Sequence, residues 1–313
     1  MTDIVVVGSL NMDLVVKVEH MPAPGETISG GDLYMIPGGK GGNQAAAAAR
    51  LGAKVVMVGK VGNDAFGPRL VNALKEAGVD TGCIKIEAET ATGTAVIIVE
   101  DKGENSIVIS PGANGKITPA EIDQLEGVIS SAKVILLQHE IPLETVHHVI
   151  DIATRHHVTV ILNPAPAKPV PPWILSKIDY FIPNETESRI LTGIEVTDLN
   201  SAEKAARIFI GYGTKNVIVT LGEKGALLVN PEGATHVPAR KVESVDTTAA
   251  GDAFIAGFAN GIVQGYSIVE AIQYAVAAGA LTVTRFGAQT SLPSKSELDE
   301  FIRLAVPESP NIY

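Results

Sequence analysis

Six short apolar runs, most rich in β-branched residues, recur through the chain: DIVVVG (Asp3–Gly8), KVVMVG (Lys54–Gly59), KVILLQ (Lys133–Gln138), VTVILN (Val158–Asn163), DYFIPN (Asp179–Asn184) and NVIVTLG (Asn216–Gly222). Continuous apolar runs of this length belong to strands buried on both faces. Helical composition fills the gaps, over Gln44–Leu51, Ala65–Ala77, Pro119–Ser130, Leu143–Arg155 and Ser201–Gly211. Strands alternating with helices make a parallel sheet through right-handed crossovers. The sequence therefore predicts an α/β fold, a doubly wound, mostly parallel sheet flanked by helices. From Ala249 onward three more helical patterns run to the neighbourhood of Leu304.

Two regions break this rhythm. MDLVVKVEHMPAPGETISGGDLYMIPGG and TGTAVIIVEDKGENSIVIS hold strand pairs joined by polar turns with no helix between. They predict a small separate sheet, spanning about 12–38 and 93–111, attached to a single domain of residues 1–313. Its place beside candidate ligand loops suits a lid.

Charge and cysteine content exclude several classes. With 24 basic against 35 acidic residues and a net charge of −11, the chain lacks the basic face of a nucleic-acid binder. Cys83 is its only cysteine, so no disulfide forms within it, and the opening MTDIVVVG lacks the basic region of a secretory signal. A cytoplasmic protein is expected. No apolar run approaches the roughly 18 residues of a membrane span.

Three glycine-rich or carboxylate-bearing stretches carry the candidate chemistry. In PGGKGGNQAAAAARLG four glycines surround Lys40 ahead of a strong helix former. Free N–H groups at such a helix start favour an oxygen-rich or anionic ligand, and Asn43 offers a hydroxyl both donor and acceptor; a plain turn is the competing reading. Lys40 is followed by Gly41 rather than Ser or Thr, so this is no Walker A loop, and the first strand ends without G-x-G-x-x-G. GSLNMD puts Asn11 and Asp13 two apart, on one face of an extended chain, which suits a polyol as well as a solvated turn. In VDTTAAGDAF small residues leave the amides of Ala250, Gly251 and Asp252 open at a helix N-terminus. A phosphoryl group could rest on them while Asp252 takes a proton from an incoming hydroxyl.

TLGEKG (Thr220–Gly225) follows a strand at the sheet edge where open α/β folds bind ligands, and PNETE places Asn184 and Glu187 at a helix cap. The pairs His147–His148 and His156–His157 lack zinc spacing and read as a solvated face. No nucleophile triad is visible.

GGKGGNQAAAAARLGAKVVMVGKVGNDAFG, DTTAAGDAFIAGF and, in order, GSLNMD, LNPAPA, PNETE, TLGEKG and TRFGAQTSLP together make the chain resemble the PfkB carbohydrate kinases over nearly its whole length. Within that family it is most similar to members that phosphorylate ribose. The resemblance implies transfer of the γ-phosphoryl of ATP to O5 of D-ribose. It makes Asp252 the catalytic base, with the Ala250, Gly251 and Asp252 amides as anion hole. It assigns Asn11, Asp13, Gly39, Lys40, Gly41, Gly42, Asn43, Glu140 and Asp252 to the sugar. Asn184, Thr220, Leu221, Gly222, Glu223, Lys224, Gly225, Gly251 and Asp252 would lie along the nucleotide, and Glu187 near a hydrated Mg2+. A monovalent cation, K+, would be held by Asp246 and around Thr248, Thr282, Arg285 and Gly287, with Ser291 completing the shell; for Asp246 a simple helix cap is the alternative. Ala249 departs from the family, which usually carries glycine there. A homodimer built through the small sheet is expected. Sibling kinases acting on deoxyribose, a nucleoside or a ketose phosphate remain alternatives, as does a sugar sensor without catalysis.

Overall fold

The computed structural model describes residues 2–100 and 104–304; of the single domain expected over 1–313, residues 1, 101–103 and 305–313 lie outside the described residues. The N-terminal part runs β1 (Thr2–Val7), β2 (Asn11–Val18), β3 (Leu33–Gly38), α1 (Lys40–Arg50), β4 (Val55–Gly62), α2 (Phe66–Glu76) and β5 (Asp80–Glu87). Then come β6 (Gly93–Glu100), β7 (Asn105–Ser110), a 3₁₀ turn at Gly112–Lys116, α3 (Pro119–Asp123), α4 (Glu126–Ser130), β8 (Ala132–Leu137) and α5 (Leu143–Arg155). Next are β9 (Thr159–Leu162), α6 (Pro172–Leu175), β10 (Tyr180–Phe181), α7 (Glu185–Thr192), α8 (Leu199–Gly211) and β11 (Asn216–Thr220). The hairpin β12 (Ala226–Asn230) and β13 (Gly233–Val237) precedes α9 (Ala250–Val263), α10 (Ile268–Thr282) and α11 (Lys295–Leu304).

Nine strands form the main sheet in the order β13-β12-β11-β10-β9-β8-β1-β4-β5. All six expected runs lie in it and pair in parallel; the antiparallel pairs are β11–β12 and β12–β13. β1 shows why the sheet is wound on both faces: Ile4 and Val6 belong to the core layer that holds the alanines of α1 with α9 and α10, while Val5 and Val7 belong to the layer that holds α5 and α8. Aromatic pairs close each layer, Tyr180 on Phe258 at 4.9 Å and Phe181 on Phe209 at 4.7 Å between ring centroids. Among the described residues no helix is long and apolar enough to cross a membrane.

The segments that break the rhythm form the second sheet, ordered β3-β2-β6-β7. β2 and β6, one from each segment, pair in parallel, so Asn11 lies opposite Gly93 on one side and Gly38 of β3 on the other.

Two helix expectations need correction. Pro119–Ser130 is broken at Gln124–Leu125 into α3 and α4, the first closed by a capping box between Thr118 and Glu121. α1 starts at Lys40 rather than Gln44, so Lys40–Asn43 are its first turn. Gly39 enters that turn at φ 83°, where a Cβ would lie 2.7 Å from the Asn11 nitrogen. A Cβ on Gly41 would stand 2.6 Å from the Ser9 nitrogen and 2.7 Å from the Ser9 oxygen, which seats the helix directly on the β1–β2 connection. Gly41→Ala is therefore expected to destabilise the protein by about 1–3 kcal/mol, the cost of overpacking, read as a lower midpoint in urea unfolding; an unchanged midpoint would show that α1 can move off the connection.

Candidate active site

The chemistry-bearing residues gather at the carboxyl edge of the parallel strands, where Ser9 follows β1, Gln138 to Glu140 follow β8, Asn163 follows β9, Asn184 follows β10 and Thr220 ends β11. α1 enters this edge with its amides already satisfied. Lys40 N–H donates to Glu140 Oε2 (3.1 Å), Gly41 N–H to Ser9 Oγ (3.3 Å), Gly42 N–H to the Ser9 carbonyl (2.9 Å) and Asn43 N–H to the Gly39 carbonyl (2.8 Å). The free N–H groups anticipated for this loop are thus spent within the protein. Its glycines let the helix approach the backbone, and it offers a ligand the side chains of Lys40 and Asn43.

Asn11 and Asp13 share one face of β2. Asn114, buried in the 3₁₀ turn, donates from Nδ2 to Asn11 Oδ1 (2.7 Å) and to the Leu10 carbonyl (3.0 Å), and its Oδ1 accepts from Leu10 N–H (2.9 Å). Asn11 is thereby turned to present its NH2 as donor. Glycines make the space: a Cβ on Gly38 would lie 2.2 Å from the Asp13 carboxylate, and one on Gly93 2.3 Å from Asn11 Oδ1. Burial, together with Glu140 and Asp252 nearby, pushes the Asp13 carboxyl up to about 7 against the pull of Lys40. Burial pulls the Lys40 ammonium down, but Asp252, Glu140, Glu187 and Asp13 around it win, and its pKa is raised. Beside Asn11 and Glu140 lies a cavity of about 220 Å³ lined also by Ile109, Pro111, Asn114, His139, Pro166 and Lys168. A more open depression of about 620 Å³ elsewhere, around Lys60, shares no residue with this site, and there Lys60 is paired with Glu87 and Glu121 at 2.9 Å each.

Asp252 sits buried in the first turn of α9. Its Oδ2 accepts from Asn43 Nδ2 and its Oδ1 from Gln44 Nε2, both at 3.0 Å. Burial raises its pKa, while Lys40 and these two amides oppose the rise. Asn43 Oδ1 is buried with no partner among the described residues, an acceptor left for a hydroxyl. Ala249 holds the left-handed conformation (φ 60°, ψ 7°) at the helix cap, a strain of about 1–2 kcal/mol in a residue with a Cβ. Of the three amides expected to form the anion hole, that of Ala250 donates to the Thr247 carbonyl (3.2 Å), whereas those of Gly251 and Asp252 have no partner among the described residues. A Cβ on Gly251 would meet open space.

Across the edge, Asn184 and Glu187 form the capping box of α7, and Asn184 pairs with Thr220 in an isolated bridge. Glu187 is nonetheless part of the site: burial raises its pKa, with the Asn184 N–H and then Lys40 opposing. The Leu221–Gly225 turn closes on itself, Leu221 N–H donating to the Gly225 carbonyl (2.8 Å); Gly222 and Gly225 have φ of 52° and 94°. Lys224 turns its ammonium to the Thr197 carbonyl (2.7 Å), and Glu223 is exposed. Asp246 Oδ1 accepts from Thr248 N–H (2.9 Å) and Oγ1 (2.6 Å), and its Oδ2 from Gly287 N–H (2.9 Å). These bonds outweigh burial and lower its pKa. The Val245 and Asp246 amides donate to the Val283 carbonyl, so the two expected cation loops are stitched together. Within them Thr282 Oγ1 bonds the Ala278 carbonyl, Ser291 Oγ the Ala288 carbonyl and Arg285 the Glu297 carboxylate. His148 and His156 pair with Asp123 and Glu126 instead of with each other.

Ser9, Gln44, Asn114, Gln138 and Asn163 are neighbours of the candidate residues that the motifs did not mark. Gln138 and Asn163 had one available signal, a polar residue directly after a buried parallel strand.

The pfkB family carbohydrate kinase model matches residues 1–295. Ribokinase of Haemophilus influenzae is 42% identical over 300 residues, covering 96% of this chain and 98% of its own. Deoxyribokinase of Salmonella typhimurium is 41% identical over 303 residues, covering 96% and 99%. The structure of Arabidopsis thaliana ribokinase complexed with ribose and ATP superposes with a TM-score of 0.92 at 35% identity, over 96% of this chain and 99% of that one. A family match across nearly the whole length, on a sheet edge that brings the GGKGGNQ and DTTAAGDAF stretches together around one buried carboxylate, establishes that the chain belongs to the pfkB family of carbohydrate kinases.

Proposed function

We propose that the protein is a ribokinase, transferring the γ-phosphoryl group of ATP to the O5 hydroxyl of D-ribose to give D-ribose 5-phosphate and ADP. The observation that carries this reading is the position of Asp252, between the polyol-facing set Asn11, Asp13, Lys40, Asn43 and Glu140 and the open amides of Gly251 and its own residue. Asp252 takes the proton of O5 as the O5–phosphorus bond forms and the bond from phosphorus to the β–γ bridging oxygen breaks. The Gly251 and Asp252 amides, with Lys40, receive the charge of the transferring group. Asn11 and Asn43 donate to and accept from the sugar hydroxyls, with Asp13 and Glu140 as further acceptors. The nucleotide lies along Asn184, Thr220 and the Leu221–Gly225 turn. Relatives named ribokinase support ribose as acceptor; the 41% identical deoxyribokinase keeps 2-deoxyribose as the rival substrate. A phosphorylated ketose fits less well, since of the two lysines near the sugar set Lys40 stands among these carboxylates and Lys168, which lines the cavity, gives its ammonium to the His139 carbonyl (2.7 Å). We place the protein in the cytoplasm, in keeping with its single cysteine.

Two metal ions fit the residues present. Mg2+ arriving with the nucleotide would supply charge neutralisation to the phosphates. Glu187, buried and oriented by Asn184, would hold it through water. The loops joined by Asp246 offer oxygen donors with one formal negative charge among Asp246, Thr248, Thr282, Arg285, Gly287 and Ser291, a set suited to K+. The lid reading gives the small sheet the role of closing over the sugar. Its exposed apolar residues, among them Leu33, Met35, Ile107 and Val108, are those of a homodimer interface.

An ATP-consumption assay over D-ribose, 2-deoxyribose, a nucleoside and a ketose phosphate is expected to give the highest kcat/KM with D-ribose, and Asp252→Asn to lower kcat by about 10²–10⁴-fold. In the parent enzyme kcat/KM falls as pH drops and Asp252 is protonated, with the acid limb lying above the ordinary carboxylate range because burial raises this group. Preference for another acceptor would move the substrate assignment; undiminished turnover by Asp252→Asn would remove the base.

Rates measured at fixed ionic strength are expected to rise with K+ more than with Na+ or Li+, and Asp246→Asn to lose that response. The helix-cap alternative falls away, since Ala249 caps α9 and Asp246 bonds Thr248 and Gly287 instead; equal rates in all three salts would leave Asp246 as the residue that joins these loops. Light scattering is expected to give twice the mass of one chain, and Val108→Glu to halve it; a monomeric parent at micromolar concentration refutes the interface.

A further inference from the structure

Two buried primary amides stand behind the catalytic carboxylate. Gln44, in the first turns of α1, and Gln138, just past β8, are both fully buried. Apolar side chains of similar size would occupy these positions at lower cost, because a buried amide must be hydrogen-bonded to offset its desolvation, and Gln138 Oε1 has no partner among the described residues. The bonds they make have a direction. Gln138 Nε2 donates to Gln44 Oε1 at 2.6 Å, so that oxygen is used and the Gln44 NH2 faces the opposite way. There Nε2 donates to Asp252 Oδ1 at 3.0 Å and reaches Asn163 Oδ1 at 3.5 Å. Asn163 is itself fixed, its Nδ2 donating to the Ile182 carbonyl at 3.0 Å. Gly8 makes room for the relay, since a Cβ there would lie 2.1 Å from Gln138 Oε1.

We propose that Gln44, oriented by Gln138, is a positioning residue for Asp252: it holds the carboxylate in one rotamer and reserves Oδ1 as an acceptor, which aims Oδ2 at the incoming hydroxyl beside Asn43. The inference rests on the reading of Asp252 as the base. The direction of the relay follows from the hydrogen bonds alone, because a reversed Gln44 amide would set its oxygen against both the Asp252 carboxylate and Asn163 Oδ1. Gln44 lies too deep to touch substrate, so its removal is expected to act on turnover and not on binding.

The test is a cycle of variants in the intact protein, assayed with D-ribose and ATP. Gln44→Met is expected to lower kcat about 10- to 100-fold, the worth of one hydrogen bond to a charged group, with both KM values within about twofold of the parent. Gln138→Met, which frees Gln44 to turn, is expected to lower kcat about 3- to 10-fold. In an Asp252→Asn background neither change should reduce the residual single-turnover rate further, because the group they position is gone. A merely structural role predicts the same fold-loss in both backgrounds. A folded Gln44→Met with parental kcat, or an equal loss in the Asp252→Asn background, overturns the relay. Should Gln44→Met fail to fold, shown by a lost thermal transition, Gln138→Met decides by the same two criteria. Parental turnover by Asp252→Asn alone would instead overturn the base assignment on which the relay depends.

Discussion

The joint between Asp252 and the first turn of α1 holds the two halves of the chain to one geometry. A buried carboxylate costs several kcal/mol unless it is paired and hydrogen-bonded. Here the compensation comes from Asn43 and Gln44, more than 200 positions away in sequence, and from Lys40 on the same turn. Those three residues reach Asp252 because glycines let α1 settle on the Ser9–Leu10 backbone, and because α1 is alanine where it meets the sheet and α9. α9 has its own demands. Gly257 and Gly261 bring it against Ala275 and Ala271 of α10, where a Cβ would stand 3.0 and 2.8 Å from the neighbouring Cα atoms. Small residues in both helices are therefore a condition for placing the carboxylate.

The alternation of strand and helix was legible in the sequence because a strand buried on both faces leaves no choice but a continuous apolar run. The β12–β13 hairpin was not, since ALLVN carries the same signal as a parallel strand and only the short turns before and after it set the directions. β5 went unmarked because Cys83, Lys85 and Glu87 dilute its apolar content at the sheet edge. Within the site, residues sharing a motif with a glycine or a carboxylate were readable, as Asp252, Asn43 and Asp13 were. The partners of those residues were not. Asn114 orients Asn11 from 103 positions away, and no local pattern marks an asparagine for that task. Nor does composition reveal that the α1 amides are spent on Glu140, Ser9 and Gly39, a fact of packing that changes what the glycine loop offers a ligand.

Charge distribution is the remaining constraint. The chain carries a net charge of −11, and its site collects Asp13, Glu140, Glu187 and Asp252 around Lys40. Such a cluster suits a neutral polyol, whose hydroxyls donate to carboxylates, and disfavours a triphosphate by direct repulsion. The fold separates the two demands in space. Asp13 and Glu140 lie on the side formed by β2 and the loop after β8, whereas the opposite side carries the open Gly251 and Asp252 amides at the α9 start and the glycines of the Leu221–Gly225 turn, with Glu187 beside them and Asp252 between the two sides. Backbone dipoles present positive ends without adding a side chain that would pair with the carboxylates and occupy the sugar pocket. In the proposed mechanism one cationic side chain at the boundary, Lys40, would serve both sides. Its raised pKa keeps it charged, so in that mechanism it would face the transferring group as a fixed positive charge while Asp252 accepts the proton.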